Sequence, residues 1–158
     1  MKNDVRDILR KDLCGRLPYG VKVEFKLPNY ETLEFDKHIG EVIGITKYEV
    51  TVVSKGIHYR LDIEKVKPYL FSLYDISKEQ IAEASIALNI KDYRISEYGD
   101  IESRRNIYDD IAYIPIDDIQ NYINWLDKNM FDYRGLLEKD SAINAKDLNV
   151  YNNVGTYN

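Results

Sequence analysis

The stretch from Ile39 to Leu70, IGEVIGITKYEVTVVSKGIHYRLDIEKVKPYL, decides the fold. Apolar and polar residues alternate in short runs that are separated by turn residues, which is the pattern of strands joined by tight hairpins. Gly40 and Gly44 indicate a bend or a close backbone contact, as barrel corners require. Pro68 restricts the last strand to an edge position. The stretch therefore predicts a small β-barrel, an architecture that often serves as a binding platform.

The residues before this stretch extend the same picture. Residues 21 to 27 alternate as a half-buried strand, and a longer loop opened by Pro28 follows them. An apolar helical face precedes that strand and is formed by Val5, Ile8, Leu9 and Leu13. Gly15 is predicted to end the helix, because glycine enters the left-handed region without a steric cost. The order of strands and loops over residues 20–71 resembles an SH3-like barrel, with a five-stranded OB-like barrel as the alternative.

The second half of the chain is predicted to be mainly helical, over residues 77–143. Ser77 to Gln80 form a capping box that begins one helix, and Pro115 begins another. A short additional helix is predicted from Phe131 to Leu137, whereas residues 91–114 give no clear element. The fold class is thus α+β, with residues 1–145 as one composite domain and residues 146–158 as a flexible tail.

Composition excludes several classes of protein. A chain of 158 residues with a net charge of −5 has the size of one ordinary domain. Residues 1–72 are weakly basic and the remainder is acidic, so neither half has the strong basic patch of a dedicated nucleic-acid binder. No apolar run is long enough to span a membrane, and the N-terminus lacks the apolar stretch of a signal peptide. These features predict a cytoplasmic protein without a membrane partner.

Few residues are arranged for chemistry. The single cysteine, Cys14, excludes a disulfide framework, and His38 and His58 are too few for a histidine-based metal or catalytic site. The carboxylate pair Asp117 and Asp118 is explained by the dipole of a helix N-terminus, and nothing in the sequence makes it converge with Asp109 and Asp110. Phosphate-loop and serine-nucleophile motifs are absent. The sequence thus predicts no catalytic residue, no metal, no cofactor and no enzymatic activity.

Three short segments resemble a family of uncharacterised proteins common in gut Bacteroidetes genomes and their phages. The segments are DLCGRLPYGV at residues 12–21, VKPYL at residues 66–70 and FDYRGLLEK at residues 131–139. This chain departs from the family pattern at Asp140, where a glycine is usual. The resemblance implies a bacterial or prophage protein, from a mobile element, and it assigns no activity to any residue.

These observations together predict a non-enzymatic accessory or adaptor protein that binds another macromolecule. A protein is the favoured partner, and the alternative is nucleic acid bound on a basic, Tyr-bearing face of the barrel. Residues 17–20 and residues 132–136 are expected to pack together, with Tyr133 and Arg134 near the first strand of the barrel. The candidate binding residues are Tyr19, Tyr59, Arg60, Tyr69, Tyr133 and Arg134. The oligomeric state is left open.

Overall fold

The computed structural model describes residues 2–87, 93–95, 101–103 and 116–151. The chain folds as a mixed α+β structure with a helix at its N-terminus and one large sheet, which confirms the predicted class. The helices are α1 (Lys2–Arg16), α2 (Lys78–Ala87) and α3 (Ile116–Lys128). The strands are β1 (Lys22–Pro28), β2 (Phe35–Ile45), β3 (Glu49–Ser54), β4 (Ile57–Asp62), β5 (Val66–Leu70), β6 (Tyr93–Ile95), β7 (Ile101–Ser103) and β8 (Ile143–Asn144).

The large sheet has six strands in the order β4-β3-β2-β1-β5-β8. Its first five strands are antiparallel, and the short β8 runs parallel to the end of β5. Because β4 and β8 lie at opposite edges, the sheet is open, and closure into an SH3-like barrel is not shown. The small strands β6 and β7 form a separate hairpin.

Alternation in the sequence explains which face of the sheet is buried. Val23 and Phe25 of β1 point into the core, as do Val50 and Val52 of β3. Leu9 and Leu13 of α1 cover the same core, so the N-terminal helix closes one side of the sheet. A second, smaller core lies between α2 and α3 and contains Ala84, Tyr122, Leu126 and Phe131. These two cores position the groups described below.

The turn of the β3–β4 hairpin lies where the sequence predicts it. Lys55 and Gly56 have φ values of 50° and 77°, so both central residues are left-handed, as a type I′ turn requires. Gly20 ends the short 3₁₀ turn Leu17–Tyr19 with a φ of 72°. Both glycines occupy positions that an ordinary L-residue adopts only with strain.

Two local predictions are wrong, and one strand was not predicted. Gly15 does not end the first helix, because α1 continues through it to Arg16. Residues 131–137 form turns instead of a helix, since their backbone groups bond to Phe71 and to the side chain of Asp132. The segment after α3 also contributes β8, a strand that the sequence did not indicate. Asp109, Asp110, Pro115 and most of residues 91–114 lie outside the described residues. No helix in the described ranges is long and apolar enough to cross a membrane.

Candidate functional site

A cluster of charged side chains is buried between α1 and the end of α3. Asp12 and Arg16 lie one turn apart on α1, and both are completely buried. The guanidinium of Arg16 donates to both carboxylate oxygens of Asp12, from Nε to Oδ2 at 2.8 Å and from Nη2 to Oδ1 at 2.8 Å. Such a two-pronged pair combines charge with fixed geometry, which makes it stronger than a single-point contact.

The same guanidinium also donates to two backbone carbonyl groups, one in the last turn of α3 and one three residues after its end. Arg16 Nη2 donates to the carbonyl oxygen of Phe131 at 2.6 Å, and Nη1 donates to that of Leu126 at 3.4 Å. The last carbonyls of a helix lack partners within the helix, and cationic side chains are favourable there. Arg16 therefore connects the first helix of the chain to the last long one.

Three further side chains complete the charge cluster, which consists of Asp12, Arg16, Asp127, Tyr133 and Arg134. The Tyr133 hydroxyl donates to Asp127 Oδ1 at 3.0 Å. Arg134 Nη1 donates to Asp12 Oδ1 at 3.0 Å and to Asp127 Oδ1 at 3.4 Å. The Arg134 guanidinium carbon also lies 4.2 Å from the centre of the Tyr133 ring. Two arginines thus balance two aspartates.

Burial sets the protonation equilibria of the charge cluster. Burial raises the pKa of Asp127, although Arg16, the Tyr133 hydroxyl and Arg134 oppose the effect. Burial lowers the pKa of Arg16, but its hydrogen bond to Asp12 and the charge of Asp12 outweigh that effect, so the pKa is raised. Both carboxylates are bonded to arginines, and these bonds connect α1 with α3 and with the segment that follows it. We therefore assign the charge cluster a structural role.

The six candidate binding residues do not form one site. Tyr133 and Arg134 belong to the charge cluster, where Tyr133 bonds to Asp127 of α3 and Arg134 bonds to Asp12 of α1. Tyr69 is buried on β5 and donates its hydroxyl to Glu24 at 3.3 Å. Tyr59 is half-buried with its ring 5.2 Å from that of Phe25, while Tyr19 and Arg60 are exposed elsewhere.

The buried tyrosines give a prediction at alkaline pH. Burial raises the pKa of Tyr69 and of Tyr151 to about 12, and it raises the pKa of Tyr133 as well. Above pH 10 the unfolded chain ionises these hydroxyls while the folded chain keeps them protonated, so stability falls as pH rises towards 12. Each such tyrosine steepens the decline by up to about 1.4 kcal/mol per pH unit.

Urea unfolding between pH 9 and 11 measures this decline. Tyr151→Phe should reduce the slope relative to the wild type, whereas replacing the exposed Tyr30 by Phe should leave it unchanged. An identical slope in Tyr151→Phe would contradict the assignment.

The tip of the β1–β2 hairpin exposes three large apolar side chains, which we call the apolar tip. Tyr30 is 87% exposed, Leu33 is 89% exposed and Phe35 is 67% exposed. Leu33 has a φ of 60°, a left-handed conformation that is uncommon for a leucine. The Asn29 side chain fixes the loop, because Oδ1 accepts from the backbone nitrogen of Glu31 at 3.0 Å. The backbone of the loop is therefore held in place, although its three large apolar side chains bury little surface within the protein.

A groove runs beside the apolar tip, where β1 extends past the end of β5. It has a volume of about 950 Å³, and we call it the β1 groove. Residues of β1, β2, β4, β5 and β8 and of the 3₁₀ turn before β5 line it, and it lies where β5 does not pair with the last three residues of β1. Its lining residues are Glu24, Phe25, Lys26, Leu27, Pro28, Phe35, Lys37, Leu61, Glu64, Lys65, Lys67 and Ile143.

Comparison with known proteins finds no matching family model, no matching curated protein and no matching solved structure. Among the described residues, no group of three or more His, Cys, Asp or Glu side chains is placed to hold a metal ion.

Sequence reasoning named Tyr133 and Arg134, but it missed the other three residues of the charge cluster and the whole apolar tip. Asp12 and Arg16 have the i, i+4 spacing of an ordinary surface ion pair, and nothing in their spacing indicates burial. The apolar tip left a weak signal, since Tyr30, Leu33 and Phe35 stand among charged residues in a segment predicted to be a loop. Large apolar residues in such a loop are a reason to look for a binding surface.

Proposed function

We propose that this protein is an accessory or adaptor protein that binds another protein through the apolar tip. The observation that carries the proposal is Leu33, which is almost fully exposed and holds a left-handed backbone. A leucine there costs conformational energy and leaves apolar surface in water. Both costs are offset when a partner covers the side chain.

The neighbouring residues support a continuous contact surface. Phe35 belongs to the apolar tip and also lines the β1 groove, so the two features are contiguous. Aromatic and aliphatic anchors next to a concave surface are typical of the central residues of protein interfaces. A mobile-element origin and an SH3-like closure of the sheet remain predictions that the proposal does not need.

Nucleic acid is the less favoured partner, because none of Tyr48, Tyr59 and Tyr69 lines the β1 groove. The tyrosines of β4 and β5 are unsuitable for stacking bases, since Tyr69 is buried and Tyr59 packs on Phe25. Tyr48 is exposed, but it lies beside Lys47 and Arg6, neither of which lines the β1 groove. Single-strand binders stack successive bases on several aromatic rings along a basic groove, whereas Phe35 is the only exposed aromatic ring among the residues that line the β1 groove.

Replacement of Leu33 tests the proposal. We expect Leu33→Asn to keep or slightly improve stability, because asparagine tolerates the left-handed region better than leucine. It should also weaken partner binding by at least about tenfold, as loss of a buried anchor does. Quantitative affinity purification from cells that produce the protein, followed by direct binding of the recovered partner, measures both the identity and the affinity.

The matched control is Ile57→Thr, which removes an exposed apolar residue from the β3–β4 hairpin instead. A partner retained by Ile57→Thr and lost by Leu33→Asn supports the proposal. A folded Leu33→Asn protein that retains every partner at wild-type affinity would rule it out.

A further inference from the structure

The β1 groove carries more positive charge than its own acidic residues balance. Four lysines line it, namely Lys26, Lys37, Lys65 and Lys67, against two glutamates, Glu24 and Glu64. Both glutamates are already paired, Glu24 with Lys37 at 3.4 Å and Glu64 with Arg6 of α1 at 2.9 Å. The acidic residues of the groove therefore do not neutralise the remaining lysines.

Those remaining lysines are available to a ligand. Within the described part of the chain, Lys26 and Lys65 form no ion pair. Lys67 pairs with Asp140 at 2.8 Å, but the Asp140 side chain is 92% exposed, so water screens that contact strongly. Three ammonium groups thus surround a groove whose lining includes Phe25, Leu27, Phe35, Leu61 and Ile143.

The backbone beside the groove is also incompletely paired. β1 pairs with β2 as far as Pro28, but its pairing with β5 ends at Phe25 opposite Val66. Lys26 and Leu27 therefore present a strand edge that β5 does not cover. An extended peptide that lies along such an edge gains main-chain hydrogen bonds, while pockets select alternate side chains.

Resting on the proposed function, we infer that the β1 groove binds an acidic segment of the partner protein in an extended conformation. Aspartate or glutamate side chains of that segment contact Lys26, Lys65 and Lys67, and its apolar side chains enter between Leu27 and Leu61. The protein as a whole has a net charge of −5, so this basic groove is a local feature and not a consequence of general basicity. Affinity at such a site weakens with salt.

Binding of defined peptides to the full-length protein tests the inference. The probe is a fluorescein-labelled peptide of about eight residues, in which Glu alternates with Leu or Phe to match the spacing of an extended strand. A second peptide carries Lys in place of Glu, and a labelled oligothymidine provides the nucleic-acid arm. Fluorescence anisotropy at about 50 mM and about 500 mM NaCl gives the affinities and their salt dependence.

The decisive variant reverses two groove charges, Lys26→Glu with Lys65→Glu. Its matched control, Lys11→Glu with Lys55→Glu, changes the net charge equally at exposed positions outside the groove. We expect the acidic peptide to bind with a dissociation constant on the order of 10–100 µM, and the groove variant to weaken it at least about tenfold. The control should change it less than about twofold, and circular dichroism should show that both variants are folded.

Three results would overturn the inference: equal affinity for the acidic and basic peptides, equal weakening by the two charge-reversed variants, or tighter binding of oligothymidine than of the acidic peptide. If the groove experiment fails while Leu33→Asn still removes a specific partner, the proposed function stands and only the partner chemistry is wrong. If Leu33→Asn also has no effect, the proposed function fails as well.

Discussion

Arg16→Met should lower the free energy of unfolding by about 3–5 kcal/mol, because it leaves buried carboxylates without their main counter-charge. The variant removes both hydrogen bonds to Asp12 and the donors to the carbonyl oxygens of Leu126 and Phe131. Arg134 alone would then face Asp12 and Asp127. Urea unfolding followed by circular dichroism measures the loss.

A surface pair on the same helix provides the control. Arg10 lies 3.8 Å from Asp7, and the Arg10 side chain is partly exposed whereas that of Asp7 is exposed. Arg10→Met should therefore change stability by less than about 0.5 kcal/mol. A loss of less than about 1 kcal/mol in Arg16→Met would contradict the assignment of Arg16 as the link between α1 and α3.

A double variant separates charge from packing. Asp12→Leu combined with Arg16→Met removes one positive and one negative group, so that Arg134 and Asp127 remain as a balanced pair. We expect this double variant to be more stable than Arg16→Met alone, since apolar replacement of a buried ion pair is often tolerated whereas loss of one partner is not. A double variant that is less stable than Arg16→Met would show that the carbonyl contacts of Arg16 matter more than charge balance.

Gly40→Ala is the second substitution with a large expected effect. Gly40 lies in β2 opposite Val23, where an added Cβ would overlap the side chain of Val52 and lie 2.6 Å from the carbonyl oxygen of Val53. The backbone oxygen cannot move without disturbing the β2–β3 pairing. We expect a loss on the order of 2–3 kcal/mol or more, as overpacking of a rigid core produces.

Gly44 in the same strand provides the matched control. An added Cβ there would meet only the Thr51 side chain at 3.6 Å, which is an ordinary contact. Gly44→Ala should be neutral or slightly stabilising, because alanine reduces the freedom of the unfolded chain. Thermal unfolding of both variants checks the contrast, and equal midpoints would show that β2 and β3 are less closely packed at Gly40 than described.

Sequence reasoning could predict the strands because their signals are local. The alternation in residues 21–27 and the Lys55-Gly56 turn each specify an element without reference to distant residues. Gly40 and Gly44 are each predicted to mark a bend or a close backbone contact, and the structure shows a close contact with β3 at Gly40. β8 could not be predicted in this way, since two residues pair with β5 only after the intervening chain has folded back.

The candidate site was harder to predict, for a related reason. Arg134 and Asp12 are 122 positions apart, and their contact depends on how α3 docks against α1. Gly15 illustrates the difficulty. Its position in the sequence is typical of a helix end, but it lies within α1. A glycine is needed there because the side chain of a larger residue would overlap the carboxylate of Asp127. A glycine required by a neighbouring helix looks the same in sequence as a glycine required by a turn.

The distance along the chain between the two halves of the charge cluster has a consequence for synthesis. Asp127 and Arg134 are synthesised more than a hundred residues after Asp12 and Arg16. During that interval we expect α1 to hold its Asp12–Arg16 pair in water, because a buried charge without its full set of partners is unfavourable. The first helix can therefore dock permanently only after α3 and Arg134 have been synthesised, so the residues before α3 do not complete this core on their own.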